Sequence, residues 1–158
     1  MRAMCGVSHS GHDSCTTPGV FQNPLLEARN RARALGPKRV LVVDDESDPR
    51  ELVAHVLEAS GLCVTAAESA EEAIKAMLAQ PVVLVVSDVG MPEMDGHAFV
   101  RRIRSSSLWS MVPVIAVSGF VQPEDRRRAL DAGFNAHFAK PCDAAALLSA
   151  IVRLLAPK

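Results

Sequence analysis

The sequence predicts an α/β domain, a doubly wound parallel sheet of five strands with helices on both faces. Three observations predict it. Short runs of branched apolar residues recur between residues 38 and 140, and each is followed by a stretch with helical spacing. Strand and helix alternate throughout, with no block of one kind alone. The runs are continuously apolar rather than alternating, as strands covered on both faces require.

Taken in order, residues 1–22 (MRAMCGVSHSGHDSCTTPGVFQ) are rich in Ser, Thr, Gly and His, lack a hydrophobic period, and read as a disordered tail. Residues 23–36 carry helix punctuation: Asn23 as cap, Pro24 at the first helical position, Gly36 just past the end. Residues 1–36 are therefore a disordered or partly helical extension, and residues 37–158 are the domain. Strands are expected at 39–43, 62–66, 82–87, 112–118 and 135–139. The third is the most apolar, which suits the centre of the sheet.

Helices fill the gaps. The first opens at Asp48-Pro49 with Asp48 as cap, places Leu52, Val53, Val56 and Leu57 on one apolar face, and ends at Gly61. The second opens on a capping box, Ser69 with Glu72, and buries Ala73, Ile74, Met77 and Leu78. The third follows Asp95-Gly96 with Phe99, Val100 and Ile103 inward. The fourth runs from about Pro123 to Gly133, and the fifth starts at Asp143 and carries Leu147, Leu148, Ile151, Val152 and Leu155.

Bulk properties exclude several function classes. The 158 residues are 49% apolar but only 4% aromatic, so Val, Leu, Ile and Ala must build the core. A formal net charge of −1 gives no global attraction to nucleic acid or membrane. Residues 1–36 carry a net +2 and the remainder a net −3, too little to name a partner. No apolar run approaches the ~20 residues of a membrane span, and no secretion signal is evident, so the cytoplasm is the expected location. Cys5, Cys15, Cys63 and Cys142 lie scattered, two of them in apolar settings, and read as reduced thiols. Cys5, His9, His12 and Cys15 lack the spacing and small core of a zinc finger.

Function in such a fold gathers at the carboxyl ends of the strands. The residues found there are Asp44 and Asp45, Asp88, Ser118 and Lys140. Three carboxylates at one sheet edge repel, and a hard divalent cation such as Mg²⁺ with oxygen ligands relieves that. No His or Cys sits at these ends to suit zinc. A carboxylate beside a lysine and a hydroxyl can attack phosphorus to give an aspartyl phosphate. The bland reading, scattered surface charges at loop ends, does not explain why all of them fall on one edge.

VLVVDDE, SDVGMPEMDG, VSG and AKP, in this order and spacing over residues 38–156, resemble the receiver domain of two-component response regulators. The resemblance implies the flavodoxin-like (βα)5 fold with strand order 2-1-3-4-5. It makes Asp88 the phosphoacceptor, with Asp44, Asp45, Asp88 and the Gly90 carbonyl as Mg²⁺ ligands. Ser118 and Lys140 would hold phosphoryl oxygens, and Ser118 and His137 would be the switch pair. Pro141 matches a position where the family's peptide is typically cis. Two residues depart from the pattern: Gly90, where a larger side chain is usual, and His137, where Tyr or Phe is common. An imidazole at 137 could titrate near neutral pH or serve as a half-buried structural group.

The implied donor is a phosphohistidine on a sensor histidine kinase or phosphotransfer protein. No effector module is read on either side of the domain, so a stand-alone switch is expected. Its output would be protein–protein contact through the fourth helix, fifth strand and fifth helix, with no direct nucleic-acid binding, as a monomer or weak dimer. The chain would be no enzyme in the usual sense, only a phosphoacceptor that catalyses its own phosphorylation and dephosphorylation. Arg126, Arg127 and Arg128 read as a solvated helix face, and Trp109 as a packing anchor. The competing classes are a receiver-fold binding module independent of phosphorylation, a phosphatase with Asp-x-Asp after its first strand, and a dinucleotide-binding enzyme. Asp44-Asp45-Glu46 does not fit the second, and no G-x-G-x-x-G follows the first strand for the third.

Overall fold

The computed structural model describes residues 23–119 and 122–157. The predicted tail and its Cys5, His9, His12, Cys15 set lie outside these residues. The elements are α1 (Pro24–Ala34), β1 (Arg39–Val43), α2 (Ser47–Ala59), β2 (Cys63–Ala67), α3 (Ala70–Ala79), β3 (Leu84–Asp88), α4 (Gly96–Ser105), β4 (Val114–Ser118), α5 (Pro123–Ala132), β5 (Ala136–Ala139) and α6 (Ala144–Leu155). All strands are parallel, in the order β2-β1-β3-β4-β5. β3 is central and buried along its whole length, as its composition predicts.

Continuous apolar runs serve two cores at once, because successive side chains leave opposite faces of a strand. Leu41, Val43, Val85, Val114 and Ala116 pack with Ile74, Met77, Phe99, Val100 and Ile103 on one side. Val40, Val42, Leu84, Val86, Ile115 and Val117 pack with Leu57, Leu147, Leu148 and Ile151 on the other. α1 joins this second core: Ala28 and Ala32 are buried in it, the helix lies against α6, and Arg33 donates to the Ala59 carbonyl at 3.3 Å. The two small alanines let the backbones come close, and the extension is thereby tied to the domain at the end of α2.

Most helix starts follow their sequence signals. Asn23, Ser69, Asp95 and Asp143 each accept a first-turn amide. Three expectations are corrected. α2 begins at Ser47 with Glu46 as N-cap, and Asp48 lies inside the first turn. The cause is Asp44, whose carboxylate accepts from the Glu46 amide at 3.0 Å and turns the chain into the helix early. Leu78 is exposed, not buried, at 67%, and Leu52 on the apolar face of α2 is exposed at 57%. Leu52 borders an open groove between α2 and α6, and α3 lies over the outer strands β2 and β1, where only part of its apolar stripe has sheet beneath it. In the Ser69 box, Glu72 reaches back to the Glu68 amide at 2.8 Å rather than to that of Ser69. The setting of Cys63 is also corrected: it is exposed on the edge strand β2, whereas Cys142 is half-buried against the second core, and both are free thiols. Trp109 packs against the first core as expected.

One polar side chain fixes the edge opposite the strand ends. Arg104, in the last turn of α4, donates to the carbonyls of Ser110, Val112 and Gly133 and to Asn135 Oδ1 at 2.7–3.0 Å. Gly133 closes α5 with φ +123°, and a Cβ there would stand 2.9 Å from Arg104 Cγ. Among the described residues, no helix is long and apolar enough to cross a membrane.

Candidate functional site

Parallel strands end on one edge, and that geometry gathers the polar residues. Asp88 is the last residue of β3 and Ser118 of β4, while Asp44 and Lys140 follow β1 and β5 directly. Asp44 and Asp88 are 6% and 7% exposed, whereas Asp45 is open to solvent. Carboxylate oxygens of Asp44, Asp45 and Asp88 all lie within 4.8 Å of one another. At such a separation two like charges repel by about 3 kcal/mol for an effective dielectric near 20.

Lys140 offsets part of that repulsion. Its ammonium stands 2.9 Å from Asp44 Oδ2 and 3.3 Å from Asp88 Oδ1. Burial alone would lower the Lys140 pKa, but these two partners more than reverse it, and it is raised. The Gly90 amide donates to Asp88 Oδ1 at 3.3 Å. Arg50, unremarked in the sequence, donates to the Asp44 carbonyl at 2.8 Å and pins the turn after β1. Even so, burial and then the Asp44 charge hold the Asp88 carboxyl above its ordinary value. The pocket therefore carries more negative charge than its lysine offsets.

That excess is the test of fit for a cation. The donor set is all oxygen and rich in carboxylate, which suits a hard ion such as Mg²⁺ and not a soft one. Among the described residues, no other group of three His, Cys, Asp or Glu side chains converges in this way.

Two cavities meet at Asp88. A groove of about 440 Å³ between α2 and α6 includes Asp44, Asp88 and Lys140 but is walled by Val53, Val56, Val86, Val117 and Leu147. Cys142 also borders it; burial and then Asp143 push its thiol up to about 11, so it is protonated at neutral pH. The second cavity, about 420 Å³, is lined by Asp88, Gly90, His97, Ser118, Gly119 and His137. Here Ser118 Oγ and His137 Nε2 are 2.7 Å apart. A side chain at Gly90 would meet nothing within 4 Å, so the departure at this position leaves the cavity open.

His97 and Gly96 are contributions that motif reasoning missed. His97 Nε2 is buried without a hydrogen bond among the described residues, and its ring meets Phe134 edge-on at 6.2 Å. The only hint was its place one residue past the Asp95-Gly96 helix start. Gly96 itself is required by close approach: a Cβ would lie 2.5 Å from the Asp88 carbonyl oxygen and 2.7 Å from Val89 Cα. Its amide bonds the Val89 carbonyl at 2.9 Å, so the start of α4 is seated on the end of β3. The Lys140–Pro141 peptide is cis.

The model of the response regulator receiver domain matches residues 40–152. The chain belongs to this family. An uncharacterized 14.6 kDa protein from the sodA1 3′ region of Leptolyngbya boryana is 40% identical over 111 residues, covering 70% of this chain and 85% of the relative. The gliding motility regulatory protein of Myxococcus xanthus is 38% identical over 125 residues, covering 78% of this chain but only 16% of that much longer protein. The crystal structure of a putative response regulator from Chloroflexus aurantiacus superposes with a TM-score of 0.74 at 27% identity, covering 77% of this chain and 99% of that one. The strand order of the receiver fold is the one observed, and α1 lies outside the matched span. Receiver domains act in two-component signalling, generally use Mg²⁺ at an acidic pocket, and interact with histidine kinases or phosphotransfer partners.

Proposed function

We propose that the chain is a phosphorylation-dependent switch in a two-component or phosphorelay pathway, with Asp88 taking the phosphoryl group from a phosphohistidine donor. The observation that carries this is Asp88 itself: a nearly buried carboxylate, held against a second carboxylate and a lysine at the edge of a parallel sheet. An Asp88 oxygen attacks phosphorus, the P–N bond to the donor imidazole breaks, and the imidazole leaves with the electron pair. Asp44, Asp45, Asp88 and the Gly90 carbonyl would hold Mg²⁺, which supplies charge neutralisation for the phosphoryl oxygens when bound.

Lys140 then exchanges its contact with Asp88 for a phosphoryl oxygen and keeps Asp44 as its second partner. Ser118 turns its hydroxyl toward another phosphoryl oxygen. His137 responds to Ser118, and the surface of α5, β5 and α6 carries the change to a downstream protein in the cytoplasm. The chain acts as phosphoacceptor, catalysing only its own phosphorylation and dephosphorylation, and works as a monomer or weak dimer without touching nucleic acid.

Intact-mass analysis after incubation with Mg²⁺ and acetyl phosphate tests this. The parent protein should gain one phosphoryl group and Asp88→Asn none. A folded parent that gains nothing would leave a receiver-fold binding module that works without phosphorylation, and gain in both proteins would mean another acceptor.

A further inference from the structure

We infer that phosphorylation of Asp88 fixes His137 as a hydrogen-bond donor to Ser118 and raises its hold on a second proton, so that acid favours the phosphorylated state. This rests on the phosphoacceptor reading and assigns His137 a positioning role within it. The argument is a count of protons. Ser118 Oγ and His137 Nε2 are 2.7 Å apart, and one of the two must donate. The serine hydroxyl carries a single proton. Once that proton is directed at a phosphoryl oxygen, the contact with His137 survives only if Nε2 carries a hydrogen. A neutral ring with a bare Nε2 would place two lone pairs against each other.

The setting makes this consequential. In the resting protein burial lowers the His137 pKa and so favours the neutral ring. Asp125 on α5 favours the charged ring, while Arg126 on α5 and His97 on α4 oppose it. Asp88, Glu46 and Lys140 border the cavity that His137 shares. A phosphoryl group on Asp88 adds negative charge to that cavity and polarises Ser118 Oγ into a stronger acceptor, and both changes favour the imidazolium. By linkage, a ring that binds its proton more tightly in the phosphorylated state makes that state more favourable as pH falls through the raised pKa toward the resting one.

The measurement is a ¹⁵N imidazole NMR titration of the full chain with Mg²⁺, with and without beryllofluoride as a stable phosphoryl mimic. His137→Phe assigns the signals. The expected result is an Nε2-protonated ring in the complex and a His137 pKa raised by about one unit, equivalent to tenfold. In parallel, beryllofluoride half-saturation should tighten by up to about tenfold between roughly pH 8 and pH 5 relative to His137→Phe. Beryllofluoride binding with the His137 pKa unmoved, or with Nε2 bare, overturns this inference alone. Failure of beryllofluoride to shift the Asp88 and Gly90 amides overturns the phosphoacceptor reading as well.

Discussion

The groove between α2 and α6 and the cavity bordered by β4, β5 and α4 both reach Asp88, yet they are built from different materials. Val53, Val56, Val86, Val117 and Leu147 wall the first, and these can respond to Asp88 only by repacking. Ser118, His137, His97 and two glycines line the second, where hydrogen-bond polarity, protonation and open space can all change. Between them the Asp44–Lys140–Asp88 set deals with charge. The difference teaches that one carboxylate can meet packing on one flank and hydrogen bonding on the other, because each flank answers to a different force.

The comparison can be broken most sharply at the shared residues. Asp88→Asn should abolish phosphorylation outright. Lys140→Ala should slow it by about 10²-fold, the usual cost of removing a charge that stabilises a transferring group. Both are read by rates of mass gain with acetyl phosphate. If Lys140→Ala left the rate unchanged, the charge-handling assignment between the two cavities would fail.

Next in size are effects on the frame. Arg104→Ala strips hydrogen-bond donors from three carbonyls and an amide oxygen, and should cost about 2–4 kcal/mol. Denaturant unfolding would show it, with Asp88 still able to accept phosphate in the folded fraction. Gly96→Ala forces a Cβ into the backbone of Asp88 and Val89 and should cost about 1–3 kcal/mol. It should also slow phosphorylation, since the displaced atoms belong to the acceptor strand. Equal phosphorylation in Gly96→Ala and the parent would show that the seating of α4 on β3 does not matter to the acceptor.

Smaller effects separate the flanks. Ser118→Ala should keep phosphorylation within about tenfold of the parent, while the chemical-shift changes at His137 and along α5 are lost. The smallest concerns stability. Asp88 has a folded pKa above its unfolded value, so the folded state holds that proton more tightly, and ionising it costs stability as pH rises. Asp88→Asn should therefore raise Tm at neutral pH without metal, read by thermal unfolding. That gain should shrink as pH falls through the raised pKa toward the ordinary carboxylate range. Added Mg²⁺ should narrow it too, by stabilising the parent alone.

Much of the fold was legible because it rests on local rules. Continuous Val and Leu runs mark strands, and Asn23, Ser69, Asp95 and Asp143 mark helix starts that the structure keeps. The site was legible for a topological reason: parallel strands end together, so Asp44, Asp88, Ser118 and Lys140 needed only to be strand-terminal to meet. What escaped depends on long side chains or tertiary context. Arg104 looks like any exposed helical arginine until its acceptors arrive from elements about 30 residues away. His97 and Arg50 sit in first turns whose direction toward the site is set by packing alone. Asp48 has good cap chemistry, but Asp44 bends the chain before it can act. The docking of α1 rests on Ala28 and Ala32, small residues that carry little hydrophobic signal.

The Arg104 network has a mechanical meaning. It grips α5 at its Gly133 end, while the other end, at Asp125, borders the cavity shared by Ser118 and His137. A ten-residue helix is about 15 Å long, so the first turn of α5 stands about that far from the Arg104 anchor. A tilt of about 8° about Gly133 carries the tip roughly 2 Å. Any such tilt would be displayed at the surface by Arg126, Arg127 and Arg128, which are exposed on α5.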